Sequence, residues 1–235
     1  MKKHFIKRAS IIAITLCLIT VSAFVCSQLM KKHYETRTFP ITVSLDSLDK
    51  DYAEASYIFD PNDTEKMAAA TDYIFVGYLD KIIGTTYEDV EVLDGKWIGT
   101  PFTHFSVINL YNIKGNLQTK EPLPVLMFGG VNINNKSLLL LESNSMPYEE
   151  HYYIFMVGAN EKDELYINAQ CDLGKKINKE EVAAYFDAWR SQEKYTPSES
   201  ASPEIQTINA YVTAFENRDL NYEKKKQFHS SYEAD

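Results

Sequence analysis

Residues 72–84, DYIFVGYLDKIIG, decide the fold that this sequence predicts. The stretch is rich in β-branched and aromatic residues, and both of its alternate faces are mostly apolar. One face carries Tyr73, Phe75, Leu79 and Ile83, and the other carries Ile74, Val76, Tyr78 and Ile82. A strand with two apolar faces is typical of a closed barrel or of a sheet buried on both sides. Gly77, in mid-strand, indicates a bend, a bulge or the close approach of another group.

Further segments predict the strands that surround this one: residues 102–114, 125–131, 151–157 and 164–171. The pair Asp94-Gly95 lies before the first of them and favours a hairpin turn. The apolar phase changes within that first segment, which predicts a β-bulge near residues 107–109. In the last segment the alternation predicts that Leu165, Ile167, Ala169 and Cys171 point inward. The apolar run 137–142 fits either a helix or a strand.

Helices are predicted on both sides of these strands. Capping boxes begin two of them, Asn62 with Glu65 for residues 64–71 and Asn178 with Glu181 for residues 178–193. Ser202 before Pro203 begins a last helix. The second helix carries the apolar stripe Val182, Tyr185, Phe186 and Trp189, and the last carries Ile205, Ile208, Val212 and Phe215. The stripe of the second helix predicts packing across the sheet, and that of the last helix is narrower. The polar residues from Glu216 onward predict a frayed end.

The N-terminus carries a run of 22 residues without a charge, residues 9–30, after the basic sequence MKKHFIKR. As a helix this run would span ~33 Å, about the thickness of the hydrocarbon core of a bilayer. Two interpretations remain open: a membrane anchor with its basic end inside, or a signal peptide cleaved near Ala23. Both export the rest of the chain. Outside this run Cys171 is the one cysteine, and an exported domain without disulfides indicates a Gram-positive bacterial origin.

The net charge of −9 is unevenly distributed. Residues 1–32 hold six of the 24 basic side chains and no acidic one, so the remainder has 18 basic against 33 acidic residues, a net charge of −15. So acidic a surface repels phosphodiester groups, which excludes nucleic acid as a partner class. The expected partners are the membrane, through residues 9–30, and a protein or another component of the cell envelope.

Four short segments of the sequence resemble the netrin-like barrel: DYIFVG (72–77), YNIKG (111–115), HYYIF (151–155) and YINAQCD (166–172). This is the five-stranded OB-type fold of the tissue inhibitors of metalloproteinases and of uncharacterised exported proteins of Gram-positive bacteria. The resemblance covers residues 63–176 and implies an extracytoplasmic barrel that binds a ligand. The animal inhibitors chelate the protease zinc through an N-terminal cysteine held by disulfides. This chain has no matching cysteine, so no inhibitory residue is carried over.

The predicted fold is therefore mainly β (α+β): a small OB-type barrel with a short N-terminal helix and C-terminal helices, after one membrane segment. The predicted parts are an export signal or anchor (1–32), a tether (33–62), the barrel domain with its closing helix (63–195), and a linker, amphipathic helix and polar tail (196–235). Within the tether, residues 39–45 alternate like a short strand.

Catalytic chemistry has one candidate set, Cys171 with His104 or His151. A cysteine–histidine pair produces a thiolate nucleophile only when the side chains meet in a partly open site. The inward phase of Cys171 favours a small core side chain instead. The five histidines have no zinc spacing, and Asp46, Asp49 and Asp51 lack the calcium-loop pattern, so no metal or cofactor is predicted. The predicted function is a binding module without catalysis, with an envelope enzyme or accessory factor as the alternative.

Overall fold

The computed structural model describes residues 20–54, 60, 62–142, 144–191, 197, 201–223 and 228–234. Its helices are α1 (residues 20–36), α2 (Thr64–Ala70), α3 (Lys179–Arg190) and α4 (Pro203–Glu216), with 3-10 turns at Leu45–Ser47 and Leu220–Tyr222. Its strands are β1 (Asp49–Ala53), β2 (Tyr73–Leu93), β3 (Lys96–Lys114), β4 (Pro122–Phe128), β5 (Gly130–Val131), β6 (Ser137–Leu141), β7 (His151–Ala159) and β8 (Leu165–Gly174).

Part of the predicted N-terminal segment, residues 9–19, lies outside the described residues, as do residues 196 and 198–200, where the predicted linker begins. Within the described ranges, no helix combines the length and the apolar character needed to cross a membrane.

Five strands close into a barrel of order β2-β3-β4-β8-β7. Neighbouring strands are antiparallel except β4 and β8, which pair in parallel through Val125–Leu165 and Leu126–Tyr166. This closed, mixed barrel is consistent with an OB-like barrel, so the mainly β fold and the five-stranded barrel are confirmed. The strand predicted over 72–84 is its longest member and continues through the Asp94-Gly95 turn into β3 as a ribbon.

A second sheet of order β1-β6-β5 lies beside the barrel. The strand predicted over 125–131 is divided at Gly129, where β4 leaves the barrel and β5 joins this sheet. Gly129 has a φ of 101°, and a Cβ there would lie 2.5 Å from the carbonyl oxygen of Leu139, so only glycine fits. The apolar run 137–142 is a strand, paired in parallel with β1.

Two clusters of buried side chains hold the fold together. The interior cluster fills the barrel and includes Tyr73, Phe75, Phe105, Tyr153 and Phe155. The outer cluster joins β2 and β7 to α2, α3 and α4 through the side chains Ile74, Val76, Ile154, Phe186 and Ile208. The prediction that β2 is buried on both faces is therefore confirmed, and so is the packing of the α3 stripe. The stripe of α4 packs in the same cluster.

Inserted residues change which face a side chain occupies. The β2–β3 register shifts between Leu79 and Lys81, so Ile82 packs against the interior cluster and Ile83 is 45% exposed, the reverse of the predicted phase. The β7–β8 register shifts between Met156 and Val157, so Cys171 joins the outer cluster instead of the interior. The bulge predicted near 107–109 is confirmed within one residue. Val76 pairs with Tyr111 and Gly77 pairs with Asn109, so Leu110 is the extra residue of β3 and has no register partner on β2.

Capping differs from the prediction at one helix. Asp63, not Asn62, caps α2, since its side chain accepts from the Lys66 N–H. At the C-terminus of this helix, Lys114 Nζ donates to the carbonyl oxygens of Ala68 and Ala69. A cation at a helix C-terminus complements the helix dipole. The Asn178 and Ser202 caps are confirmed.

Segments on both sides of residues 63–195 also contact the barrel. The strand predicted over 39–45 is reduced to a bridge between Phe39 and Thr85. The side chains that follow it pack against the interior cluster: Ile41, Val43, Leu45 and Leu48. The frayed end predicted after Glu216 is wrong for residues 228–234, the C-terminal segment. There Glu233 forms a bridge with Leu117, and Phe228 and Tyr232 pack against the interior cluster.

Candidate binding groove

A groove of about 930 Å³ lies on the outside of the barrel. Its floor is the outer face of β3, β4 and β8, whose side chains alternate with those of the interior cluster. The floor residues are Phe102 and His104 from β3, Leu126 and Phe128 from β4, and Tyr166 and Asn168 from β8. One end reaches Thr86 and Glu88 of β2, and the other reaches α2 and Phe228 of the C-terminal segment. This volume suits a ligand of drug size or a short polymer segment.

Aromatic rings form a platform in this groove. Phe102 and Phe128 meet edge to face, with ring centroids 5.7 Å apart and planes at 88°. The Tyr166 ring lies against the neighbouring strand at Gly158, where an added Cβ would come 2.8 Å from Tyr166 Cζ. Gly158 occupies an ordinary strand position, so space for this ring is the visible reason for glycine there.

The loop between β7 and β8 forms the polar wall, and Asn160 organises it. The Asn160 Oδ1 accepts from the N–H groups of Lys162 and Glu164, each at 3.0 Å, and its Nδ2 donates to Glu164 Oε2 at 2.8 Å. Asp163 adopts a left-handed φ of 60°. A loop with this many internal bonds holds its side chains in place before any ligand arrives.

The C-terminal segment supports the same loop. The Ser231 N–H donates to Asp163 Oδ1 at 2.9 Å, and the Ser231 hydroxyl donates to Asp163 Oδ2. These bonds hold the pKa of the Asp163 carboxyl below its usual value, with the hydroxyl bond as the largest cause. Tyr73, inside the barrel, donates its hydroxyl to Glu233 and accepts from the Ser230 N–H at 3.2 Å. Two separate contacts thus fasten the segment that carries Phe228.

The charge of the groove is acidic. Its lining holds Glu88, Glu161 and Glu164 against Lys162, whose Nζ lies 3.5 Å from Glu88 Oε1. His104 adds no charge at neutral pH, because burial lowers its pKa; its Nε2 lies 2.8 Å from Thr86 Oγ1. Two loop carboxylates therefore remain beyond the one ion pair.

The structure does not bring the catalytic candidates together. Cys171 is half-buried in the outer cluster with Tyr211 of α4, and burial raises the pKa of its thiol, which opposes thiolate formation. His151 pairs with both carboxylate oxygens of Asp172 at 3.1 Å and lies against Tyr148 and Tyr153. His104 lies in the groove. Among the described residues, Cys171 has no hydrogen bond to either histidine.

Metal ligands do not converge in the part of the chain that the structure describes. No group of three or more histidine, cysteine, aspartate or glutamate side chains there has an arrangement that could hold an ion.

The sequence alone missed the groove, although part of its pattern was visible. Phe102 and His104 alternate with core residues of β3, as do Leu126 and Phe128 in β4, so a rule that compared the outer phases of adjacent strands would find them. Phe228 carries no such signal, because it lies in a polar segment far along the chain. In comparisons with known proteins, neither the protein-family models nor the curated sequences contain a match to this chain.

Proposed function

We propose that this protein is a non-enzymatic binding module and that its ligand occupies the groove on β3, β4 and β8. The position of the groove carries the proposal. OB-type barrels bind ligands on the face of their second and third strands, flanked by the loop between the fourth and fifth. Counted along the chain, the second and third barrel strands are β3 and β4. The fourth and fifth are β7 and β8, and the loop between them is the one organised by Asn160.

We further propose that the module acts outside the cytoplasm on a protein or envelope component. The uncharged run 9–30 after a basic N-terminus supports this, as does the netrin-like resemblance of residues 63–176. N-terminal sequencing of the mature protein distinguishes the two forms of export. A start at Met1 supports the anchor, and a start near Phe24 supports cleavage after Ala23.

Photo-crosslinking in the producing cells tests the groove. A photoreactive residue in place of Phe102 should capture a partner, because this side chain lies in the platform. The matched control is Tyr52 in the second sheet, which is 55% exposed and outside the groove lining. Capture at Phe102 but not at Tyr52 is the expected result, and equal capture at both sites, or none at Phe102, contradicts the proposal.

The enzyme alternative pairs Cys171 with His104 or His151, and among the described residues the thiol has no hydrogen bond to either. Cys171→Ala should leave capture at Phe102 unchanged, because the thiol packs against the outer cluster and is not part of the groove lining. Loss of capture in a variant that still folds would restore Cys171 as a functional residue.

A further inference from the structure

The charge distribution in the groove indicates what it can hold. The lining holds three carboxylates, those of Glu88, Glu161 and Glu164, against the one ammonium group of Lys162, whose Nζ lies 3.5 Å from Glu88 Oε1. Glu164 keeps its carboxylate beside Asn160, and Glu161 is exposed with no hydrogen-bond or ion-pair partner among the described residues. An acidic wall of this kind repels an anionic ligand and attracts a cationic one.

The aromatic floor lies beside that wall. Glu164 directly precedes β8, and Tyr166 is the second residue of that strand. The ring of Tyr166 is held against Gly158. A ring face next to carboxylates is the combination that takes a guanidinium or ammonium group, through a cation–π contact and charge-assisted hydrogen bonds. The floor and the wall therefore favour the same kind of ligand group.

The barrel also offers main chain to a ligand. Strands β4 and β8 pair only at Val125–Leu165 and Leu126–Tyr166, and no further residues pair beyond these. Phe128 and Asn168 line the groove past that point. An extended peptide can add its backbone hydrogen bonds where two strands part, with its side chains in the adjoining pockets. A sugar or a small amine lacks this repeating pattern of donors and acceptors.

From these features, and on the basis of the binding function proposed above, we infer that the groove takes an extended, arginine- or lysine-bearing peptide segment of a partner protein. The cationic side chain lies over Tyr166 and bonds with the carboxylates of Glu161 and Glu164. The apolar neighbours of that side chain lie against Phe102 and Phe128.

Fluorescence anisotropy with the full chain, purified in mild detergent, tests this inference. The probe is a fluorescein-labelled octapeptide of alternating arginine and valine. The comparison peptide carries citrulline in place of arginine. Citrulline keeps the shape and most hydrogen-bond donors of arginine but has no charge. We expect the arginine peptide to bind at least about tenfold more tightly, since a hydrogen bond to a charged group is stronger than a neutral one.

Two matched variants locate the effect. Glu161→Gln with Glu164→Gln should weaken binding of the arginine peptide about tenfold, while the amide carbonyl introduced beside Asn160 still accepts its hydrogen bond. Glu91→Gln with Glu121→Gln removes the same charge at exposed positions outside the groove lining, and the affinity should then change by less than about twofold. Urea melts of both variants confirm that the fold is retained.

Each other outcome overturns the inference. Equal affinity for the arginine and citrulline peptides, or no binding of either, excludes a cationic peptide. Binding of a tetrasaccharide of N-acetylglucosamine that the Glu161→Gln, Glu164→Gln variant retains would assign the groove to carbohydrate. Capture of a partner at Phe102 is measured separately, so the binding function can stand when the ligand class fails.

Discussion

At the scale of single residues, Gly158 makes room for the groove, because the ring of Tyr166 occupies the space that a side chain there would need. We predict that Gly158→Ala displaces this ring and weakens ligand capture at Phe102. The free energy of unfolding should change by no more than about 1 kcal/mol, because alanine restricts the unfolded chain and partly offsets the clash.

A double-mutant cycle checks the coupling between these two residues. In a Tyr166→Leu background, Gly158→Ala should have no further effect on capture, since the ring that it displaces is already gone. An undiminished effect in that background would mean that Gly158 acts on the groove by another route.

At the scale of elements, α3 is fixed to the barrel by Phe186. This side chain is fully buried and stacks on Tyr111 of β3, with centroids 4.6 Å apart and planes at 2°. We predict that Phe186→Ala lowers the free energy of unfolding by about 3–5 kcal/mol, the usual cost of truncating a buried phenylalanine. Trp189, further along the stripe, is only half-buried and bonds with Glu216, so it contributes less.

Urea melts measure this difference. The control is Asp187→Ala, an exposed neighbour on the same helix, for which a change within about 0.5 kcal/mol is expected. Similar small losses for both variants would show that α3 adds little to the stability of the barrel.

The C-terminal segment gives a pH-dependent prediction. The pKa of Asp163 is below its ordinary value of 3.8, because the carboxylate accepts from Ser231. A lowered pKa in the folded state means that the stabilisation is present above 3.8 and is lost as the pH falls through the lowered value. In Ser231→Ala we expect the pKa of Asp163, followed by NMR titration, to return toward 3.8.

Ser47→Ala is the control for that titration, because the Ser47 hydroxyl donates to the Ser44 carbonyl and not to the segment. If Ser231→Ala leaves the Asp163 titration unchanged, the bonds between the loop and the segment do not form in solution.

Comparison of elements shows where sequence reasoning succeeds and where it stops. The positions of the five barrel strands, the Asp94-Gly95 turn and the apolar helix stripes follow from local patterns, and the structure confirms them. The strand predicted over 39–45 is only a bridge, and β1 was not predicted. The predicted faces of Ile83 and Cys171 are wrong because one inserted residue in a strand reverses the alternation of its side chains. The local sequence pattern does not show where such a residue is inserted. The groove depends on strands that are adjacent only after folding, and Phe228 reaches it from a segment whose polar sequence indicates no packing.

At the scale of the whole molecule, packing extends beyond the predicted barrel domain, residues 63–195. Ile205, Ile208 and Val212 of α4 are almost completely buried in the outer cluster. Each such side chain contributes roughly 1.5–3 kcal/mol when it is buried. We predict that a fragment of residues 33–235 unfolds at a clearly higher urea concentration than a fragment of residues 63–195.

Circular dichroism during urea titration of both fragments gives the measurement. Equal midpoints with equal slopes would show that residues 63–195 are a self-sufficient unit and that the flanking segments add no stability.

The contact between Tyr73 and Glu233 joins residues 160 positions apart. Because synthesis proceeds from the N-terminus, the C-terminal segment leaves the ribosome after every strand of the barrel. A chain interrupted before residue 228 has all five barrel strands, yet it lacks the wall of the groove that Phe228 provides and the bonds from Ser231 to the loop. If the groove binds a ligand as proposed, the order of synthesis makes that binding the last property that the chain acquires, and a partner that recognises the finished groove would distinguish chains that carry the segment from truncated ones.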